Sequence, residues 1–275
     1  MVVQHYPQSY YHSQKQSRYN ITRMITQKRP NYNEFSDSRL VDIYDTVNPL
    51  GAETPFYLSL AASKNVSEVI DIGCGTGLLS YEFIKQGIKV IGVDPFQPML
   101  HKAKQRYKGK LAVWIIGNAD QLPAIQADIA IMTGHVAQFY LEDEDWAANL
   151  KAIKEALKPG GYITFESRNP NIIPFQNWPT KLKHQRLIDL NNGEIEWWAE
   201  DLEFDGKHAN YEIHYLFLKS QQEIVSRNEL VFRTESQIAD SLKNNGFEVE
   251  DIFGDWDGSE LKSDSEEMIF VANCK

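Results

Sequence analysis

The sequence predicts an α/β protein: a mostly parallel sheet with helices on both faces, plus an antiparallel sheet inserted late in the chain. Between residues 66 and 167, Val- and Ile-rich runs alternate with helix-like segments five times. Strands that are apolar on both sides belong to parallel sheets covered on both faces. The first run, Val69-Ile70-Asp71-Ile72, passes directly into Gly73-Cys74-Gly75-Thr76-Gly77. Glycines so placed let the backbone turn sharply and approach a ligand more closely than any side chain allows. After Pro170 the apolar period becomes two, with Tyr211, Ile213, Tyr215 and Phe217 on one face and turn signals at Asn192-Gly193 and Asp205-Gly206.

Residues 1 to about 35 are rich in Tyr, Gln, Ser and Asn and show neither helical nor strand periodicity. They read as a mobile arm, either disordered or carrying tyrosines that close over a binding site. From Arg39 to Ser63 the spacing of Leu40, Ile43, Tyr44 and Val47, then Phe56, Leu58, Leu60 and Ala61, is helical, and Asn48-Pro49-Leu50-Gly51 divides it into two helices. A helix over Thr76–Gln86 follows the first strand, and its N-terminal amides face any ligand at the turn. The second strand, Ile88–Asp94, leads to a helix over Phe96–Arg106. The third is Leu111–Ile116, the fourth Ala127–Thr133 and the fifth Tyr162–Ser167, behind the turn Lys158-Pro159-Gly160-Gly161. A helix over Glu142–Leu157 precedes that turn, and Glu142-Asp143-Glu144-Asp145 suits its positive end better than a metal. Strands over Glu194–Phe204, His208–Lys219 and Glu223–Arg233 form the inserted sheet. Thr234–Asn245 is a helix with Thr234 as N-cap and Gly246 as C-cap, before strands Phe247–Phe253 and Glu267–Asn273.

The glycine spacing separates two chemistries. A dinucleotide turn reads G-x-G-x-x-G. This chain reads D-x-G-x-G-x-G, with Leu78 where the third dinucleotide glycine would fall. Asp94 ends the second strand 21 residues beyond Gly73, where a carboxylate can accept hydrogen bonds from ribose hydroxyls. Asn118-Ala119-Asp120-Gln121 follows the third strand, and Asp120 can accept from an exocyclic amine.

These motifs, in this order, resemble class I S-adenosylmethionine (SAM)-dependent methyltransferases over about Asp42 to Lys275. The resemblance implies a Rossmann-like seven-stranded sheet and SAM as cofactor. It implies Asp71, Gly73, Cys74, Gly75 and Gly77 around the amino-acid part and the sulfonium. Asp94, Pro95 and Met99 then lie at the ribose, Asn118, Ala119, Asp120 and Gln121 at the adenine, and Thr133 and Gly134 at the loop after strand four. The implied division is an arm (1–35), a SAM-binding core (36–170), an inserted sheet acting as substrate lid (171–233) and a C-terminal completion of the core (234–275). Cys74 reads as a small residue of the turn, with no evident base to make it a nucleophile.

On the substrate side, His135 reads as a general base, a ligand contact or a packed histidine, and Gln138 lies beside it in sequence. Glu166-Ser167-Arg168-Asn169 is similar to the acid-x-Arg-Asn segment of glycine N-methyltransferases, which implies that Arg168 and Asn169 face a substrate carboxylate. The other reading of Arg168 is an ion pair. Trp197 and Trp198 point to opposite faces of their strand, so one can line a pocket while the other packs outward. The implied reaction is methyl transfer from SAM to N or O of a small molecule. The alternatives are a non-catalytic SAM-binding or scaffold protein and, against the glycine spacing, an NAD-linked oxidoreductase.

Composition narrows the partners. The net charge is −10, and the first 35 residues hold five bases and one acid, leaving −14 for the rest. Such a body repels polyanions, against a nucleic-acid substrate. No apolar run reaches the ~20 residues that cross a bilayer. Two cysteines provide no disulfide framework, which points to a reducing, cytoplasmic setting. No His/Cys cluster has metal-ligand spacing, so no metal is expected. Nothing in the sequence sets the oligomeric state.

Overall fold

Both faces of the central strands are buried, which is why their sequences show no alternation. The computed structural model describes residues 30–123, 125–172 and 184–275. Strands β1 (Glu68–Ile72), β2 (Lys89–Asp94), β3 (Ala112–Ile116), β4 (Ala127–Met132) and β5 (Leu157–Arg168) run parallel in the order β3-β2-β1-β4-β5. A second sheet contains β6 (Gln185–Asp189), β7 (Gly193–Phe204), β8 (His208–Phe217) and β9 (Gln222–Val231), all antiparallel. The chain then returns to the first sheet with β10 (Phe247–Phe253) and β11 (Glu267–Cys274). β11 lies antiparallel to β5 and β10 antiparallel to β11, giving seven strands.

The described helices are α1 (Asn33–Ser36), α2 (Ser38–Val47), α3 (Glu53–Ser63), α4 (Leu78–Lys85), α5 (Gln97–Arg106), α6 (Asp143–Ala156) and α7 (Glu235–Asn244). On one sheet face, Trp146, Leu150 and Ile153 of α6 and Ile238 and Leu242 of α7 pack with Ile70, Ile72, Phe165 and Phe270. On the other, Tyr57 and Ala61 of α3 and Leu79 and Phe83 of α4 pack with Val69, Val90, Ile129 and Ile131. Leu40 and Ile43 of α2 pack with Ile195, Ile213, Tyr215, Phe217 and Ile224 on the inner face of the inserted sheet. This third core ties the inserted sheet to the N-terminal helices. No helix among the described residues is long and apolar enough to cross a membrane.

Several elements differ from the sequence reading. β6 was not expected: Gln185-Arg186-Leu187-Ile188-Asp189 is a short edge strand without alternation. β5 begins at Leu157 because Ala127 pairs with Leu157 across a register irregularity, so the Pro-Gly-Gly turn lies inside the strand. α4 begins at Leu78 because Gly77 sits left-handed at its N-cap. Thr234 caps α7 through a full capping box with Gln237. Asn245 is the C-cap, and Gly246, at φ +82°, is the residue after it.

The expected arm also ends earlier than residue 35. Residues 1–29, expected to be mobile, lie outside the described residues. The stretch from Asn31 onward is seated on the edge of β9. The amides of Asn31 and Tyr32 donate to Arg227 O at 3.1 and 3.2 Å, and Asn31 and Asn33 Nδ2 donate to Val225 O. Glu34, 7% exposed, receives Asn228 Nδ2 at 2.7 Å and Tyr215 Oη at 3.3 Å. Polar side chains that looked unstructured in sequence thus satisfy a sheet edge.

Candidate functional site

β1 ends where the backbone enters the left-handed region three times, at Gly73 (φ +71°), Gly75 (φ +53°) and Gly77 (φ +69°). The amides of Gly73 and Cys74 donate to Val93 O at 2.7 and 3.1 Å, which fixes the turn to the end of β2. A Cβ on Gly73 would lie 3.0 Å from Val136 Cγ1 and closer still to Cγ2. A Cβ on Gly75 would meet nothing within 4 Å. Gly73 therefore allows two loops to touch, and Gly75 faces open space.

That space is a cavity of about 520 Å3 over the carboxyl ends of β1, β2 and β4, the usual position for a ligand on an open α/β sheet. Of the residues expected at the cofactor, Gly73, Gly75, Asp94, Pro95, Met99, Asn118, Asp120, Thr133 and Gly134 line it. Asp71, Cys74, Gly77, Ala119 and Gln121 are not on the lining. Ala119 is packed in the core at 1% exposed, and Gln121 is exposed, donating to Asp120 Oδ2 at 3.1 Å. Burial pushes the Cys74 thiol well above its ordinary range, which disfavours the thiolate.

Two buried carboxylates sit at the turn. Asp94 accepts from the Gly75 amide at 2.9 Å and the Phe96 amide at 2.8 Å. Burial raises its carboxyl to about 6 against these bonds, which lower it. Asp71, 2% exposed, accepts from Ser80 Oγ at 2.5 Å through Oδ2, while Oδ1 has no hydrogen-bond partner. Its carboxyl is raised to about 7, chiefly by burial and then by the Asp94 charge. A buried acceptor left without a donor is costly unless a ligand supplies one.

The facing wall was missed by sequence reasoning. Tyr32 and Phe35 of the α1 segment, Tyr44 of α2, Phe96, Phe139 and Tyr140 line the cavity, with Val136, Asp145 and Asn149. Phe35 lies 5.3 Å from Phe96, 5.8 Å from Phe139 and 5.9 Å from Tyr44 between ring centroids. α2 is clamped to the core: Lys102 Nζ donates to Val41 O and Asp42 O at 2.7 Å, and Arg106 pairs with Asp45, which also accepts from Thr76 Oγ1. The available signal was the Tyr32-x-x-Phe35 spacing just ahead of a helix, which composition alone assigned to the arm.

None of the residues expected at the substrate is on the lining. His135 donates its amide to Glu166 Oε1 at 2.8 Å, and its Nε2 lies 3.0 Å from both oxygens of Glu267. Glu166 in turn accepts from Tyr57 Oη at 2.5 Å. Arg168 is buried, donates from Nη1 to Gln138 Oε1 at 3.1 Å and lies opposite Glu267 in the β5–β11 register. Gln138 Nε2 donates to Val231 O, and Asn169 Nδ2 to Ser265 O. Trp197 stacks on Tyr215 at 6.3 Å within the α2-facing core, while Trp198, on the other face, lies between His184 and His214. His135 is thus paired with Glu267, and Trp197 is packed against Tyr215. Glu166 and Glu267, on neighbouring strands, hold His135.

SAM carries a ribose diol, an adenine amine and cationic sulfonium and ammonium groups. The ordered Asp94 carboxylate, the open side of Gly75 and Asp120 at the cavity edge fit such a molecule.

Residues 69–161 match the family model for a methyltransferase domain. An uncharacterised methyltransferase of Geobacillus sp. (strain WCH70) is 32% identical over 108 residues, 39% of this chain and 50% of that protein. The chain spans about half the length of the first curated relatives it matches. A SAM-dependent methyltransferase from Clostridium acetobutylicum superimposes with a TM-score of 0.71 at 16% identity, covering 86% of this chain and 98% of that one. A SAM-bound amino pentose methyltransferase from Micromonospora echinaspora gives 0.66 at 16% identity, over 85% and 97% of the two chains. The fold is that of the class I SAM-dependent methyltransferases. Residues 69–161 match a methyltransferase domain within that fold.

Proposed function

We propose that this chain transfers a methyl group from SAM to N or O of a small molecule. The observation that carries this reading is the cavity of about 520 Å3 that joins the glycine turn to an aromatic wall. Asp94 accepts hydrogen bonds from the ribose hydroxyls. Asn118 and Asp120 border the adenine. The backbone at Gly73, Gly75, Thr133 and Gly134 surrounds the amino-acid part. When bound, SAM supplies a methyl carbon on a sulfonium, an electrophile that needs alignment more than covalent help. The protein's part is to hold the nucleophile in line and exclude water.

The acceptor lies against Tyr32, Phe35, Tyr44 and Phe139, with the inserted sheet and the N-terminal helices together forming the lid. A carboxylate-bearing acceptor loses its support, because Arg168 is engaged with Gln138 behind the wall. The acidic body disfavours nucleic acid, and the free thiols Cys74 and Cys274 accord with a cytoplasmic setting. The amino pentose methyltransferase among the structural neighbours supports a small-molecule acceptor.

Incubation of the purified chain with methyl-labelled SAM and a panel of small amines, alcohols and phenols is expected to give labelled product and S-adenosylhomocysteine (SAH) in equal amounts. Tight SAM binding with no labelled product from any member would favour the non-catalytic alternative.

A further inference from the structure

Thr133, Gly134 and Val136 of the loop after β4 line the cavity, while His135 between them is off its lining. The His135 backbone is left-handed, at φ +60° and ψ +29°. A residue with a side chain adopts that conformation at a cost and keeps it only where its surroundings hold it there. Two carboxylates supply the hold. Glu166, 2% exposed, accepts the His135 amide through Oε1 at 2.8 Å and the Tyr57 hydroxyl through Oε2 at 2.5 Å. Glu267, the first residue of β11, has both oxygens 3.0 Å from His135 Nε2. A carboxylate only accepts, so this ring nitrogen carries the proton. The His135 carbonyl accepts the Gln138 amide at 2.9 Å, and that turn leads to Phe139 on the aromatic wall. Val136 is the side chain that Gly73 approaches. His135 therefore lies behind two groups of cavity residues: the backbone at Thr133 and Gly134, and the side chains of Val136 and Phe139.

We propose that His135 is a positioning residue for the cofactor: held by Glu166 at its amide and by Glu267 at its ring, it keeps the loop after β4 closed against the glycine turn. It acts through Gly134 and Val136, without touching the ligand or moving a proton. The inference rests on the SAM-binding reading above. Without Glu267, the ring no longer opposes relaxation of the left-handed backbone. Relaxation would draw the His135 amide away from Glu166 and leave a buried carboxylate oxygen short of its donor, so the two holds stand or fall together. Because Glu267 opens the last strand, the C-terminal hairpin is tied to a cofactor loop 132 residues earlier in the chain.

The test is SAH affinity by calorimetry on the full chain and its variants, with amide hydrogen exchange beside it. Glu267→Ala removes the acceptor. His135→Asn removes the reach to it with a residue that tolerates a left-handed backbone. Each is expected to bind SAH about tenfold more weakly, on the scale of one hydrogen bond to a charged group. The double variant is expected to bind no more weakly than either single one, because the two side chains share one contact. Glu267→Gln keeps an acceptor for the ring and is expected to stay within about twofold of the wild-type affinity. In Glu267→Ala the His135 and Gln138 amides are expected to exchange faster while β4 keeps its protection. A packing role alone would lower the melting temperature without this pattern. If Glu267→Ala does not fold, His135→Asn reads the same contact. Wild-type affinity in both variants, equal losses in Glu267→Gln and Glu267→Ala, losses that add in the double variant, or unchanged exchange of the two amides would each overturn the proposal. Failure of the wild-type chain to bind SAH would instead remove the reading on which it rests.

Discussion

Asp94→Ala is expected to lower SAM affinity by about a hundred- to ten-thousand-fold. The carboxylate is held by the Gly75 and Phe96 amides, which aim its remaining lone pairs at the cavity. Two charge-assisted bonds to ribose hydroxyls, about 1.5–3 kcal/mol each, give that range. The same group sets a pH dependence. Its carboxyl is raised from its ordinary value of 3.8 to about 6 by burial. SAM affinity is therefore expected to be flat at neutral pH and above, and to fall by about tenfold per pH unit once the carboxylate protonates below about 6. Stability runs the other way. Because the folded value lies above the unfolded one, the Asp94 contribution to stability is fully present below about 3.8 and is lost as pH rises through about 6. Asp94 thus opposes folding near neutrality while serving the ligand, so the variant loses affinity without a comparable loss of stability. Calorimetry and thermal melts across pH measure both. Wild-type affinity in Asp94→Ala would remove the ribose assignment.

Gly73→Ala is expected to damage both fold and site. The backbone there is left-handed, a conformation that costs an L-residue about 1–2 kcal/mol. The added Cβ would also drive into Val136, a stiff β-branched side chain at the start of the turn after β4. Overpacking of this kind costs about 1–3 kcal/mol and moves the backbone. Here it would part the two loops that line the cavity, so a lower melting temperature and loss of detectable SAM binding are expected together. Gly75→Ala separates the two effects. Its Cβ meets no atom within 4 Å, so it keeps more of the stability and loses affinity by occupying the cavity. An unchanged melting temperature in Gly73→Ala would show that the loops do not need this close approach.

The cofactor side of the cavity was legible because its demands are local. A strand, a glycine turn and an acid at the end of the next strand must occur at short spacings, and that spacing differs from a dinucleotide turn. The orphaned oxygen of Asp71 was not legible, since it depends on which donors the fold fails to supply. The substrate side escaped for a different reason. His135 and Arg168 looked chemically apt, but His135 meets Glu267, more than a hundred residues further on, and Arg168 meets Gln138, thirty residues back, and no spacing reveals either contact. Tyr32 and Phe35 fall in the aperiodic, aliphatic-poor N-terminal segment and Tyr44 follows the apolar period of its helix, so neither pattern marks the face turned to the cavity. β6 stayed hidden because an edge strand needs pairing on one side only. The polar residues Asn31, Asn33 and Glu34 read as disorder because their partners lie on β9, nearly two hundred residues away.

The most direct measurement is titration calorimetry of the purified chain with SAH and, separately, with NAD, near neutral pH. A single SAH site of roughly micromolar affinity, about 8 kcal/mol, is expected, with no heat from NAD. Tight NAD binding without SAH binding would contradict the assignment of the glycine turn, Asp94 and Asp120 to a SAM site.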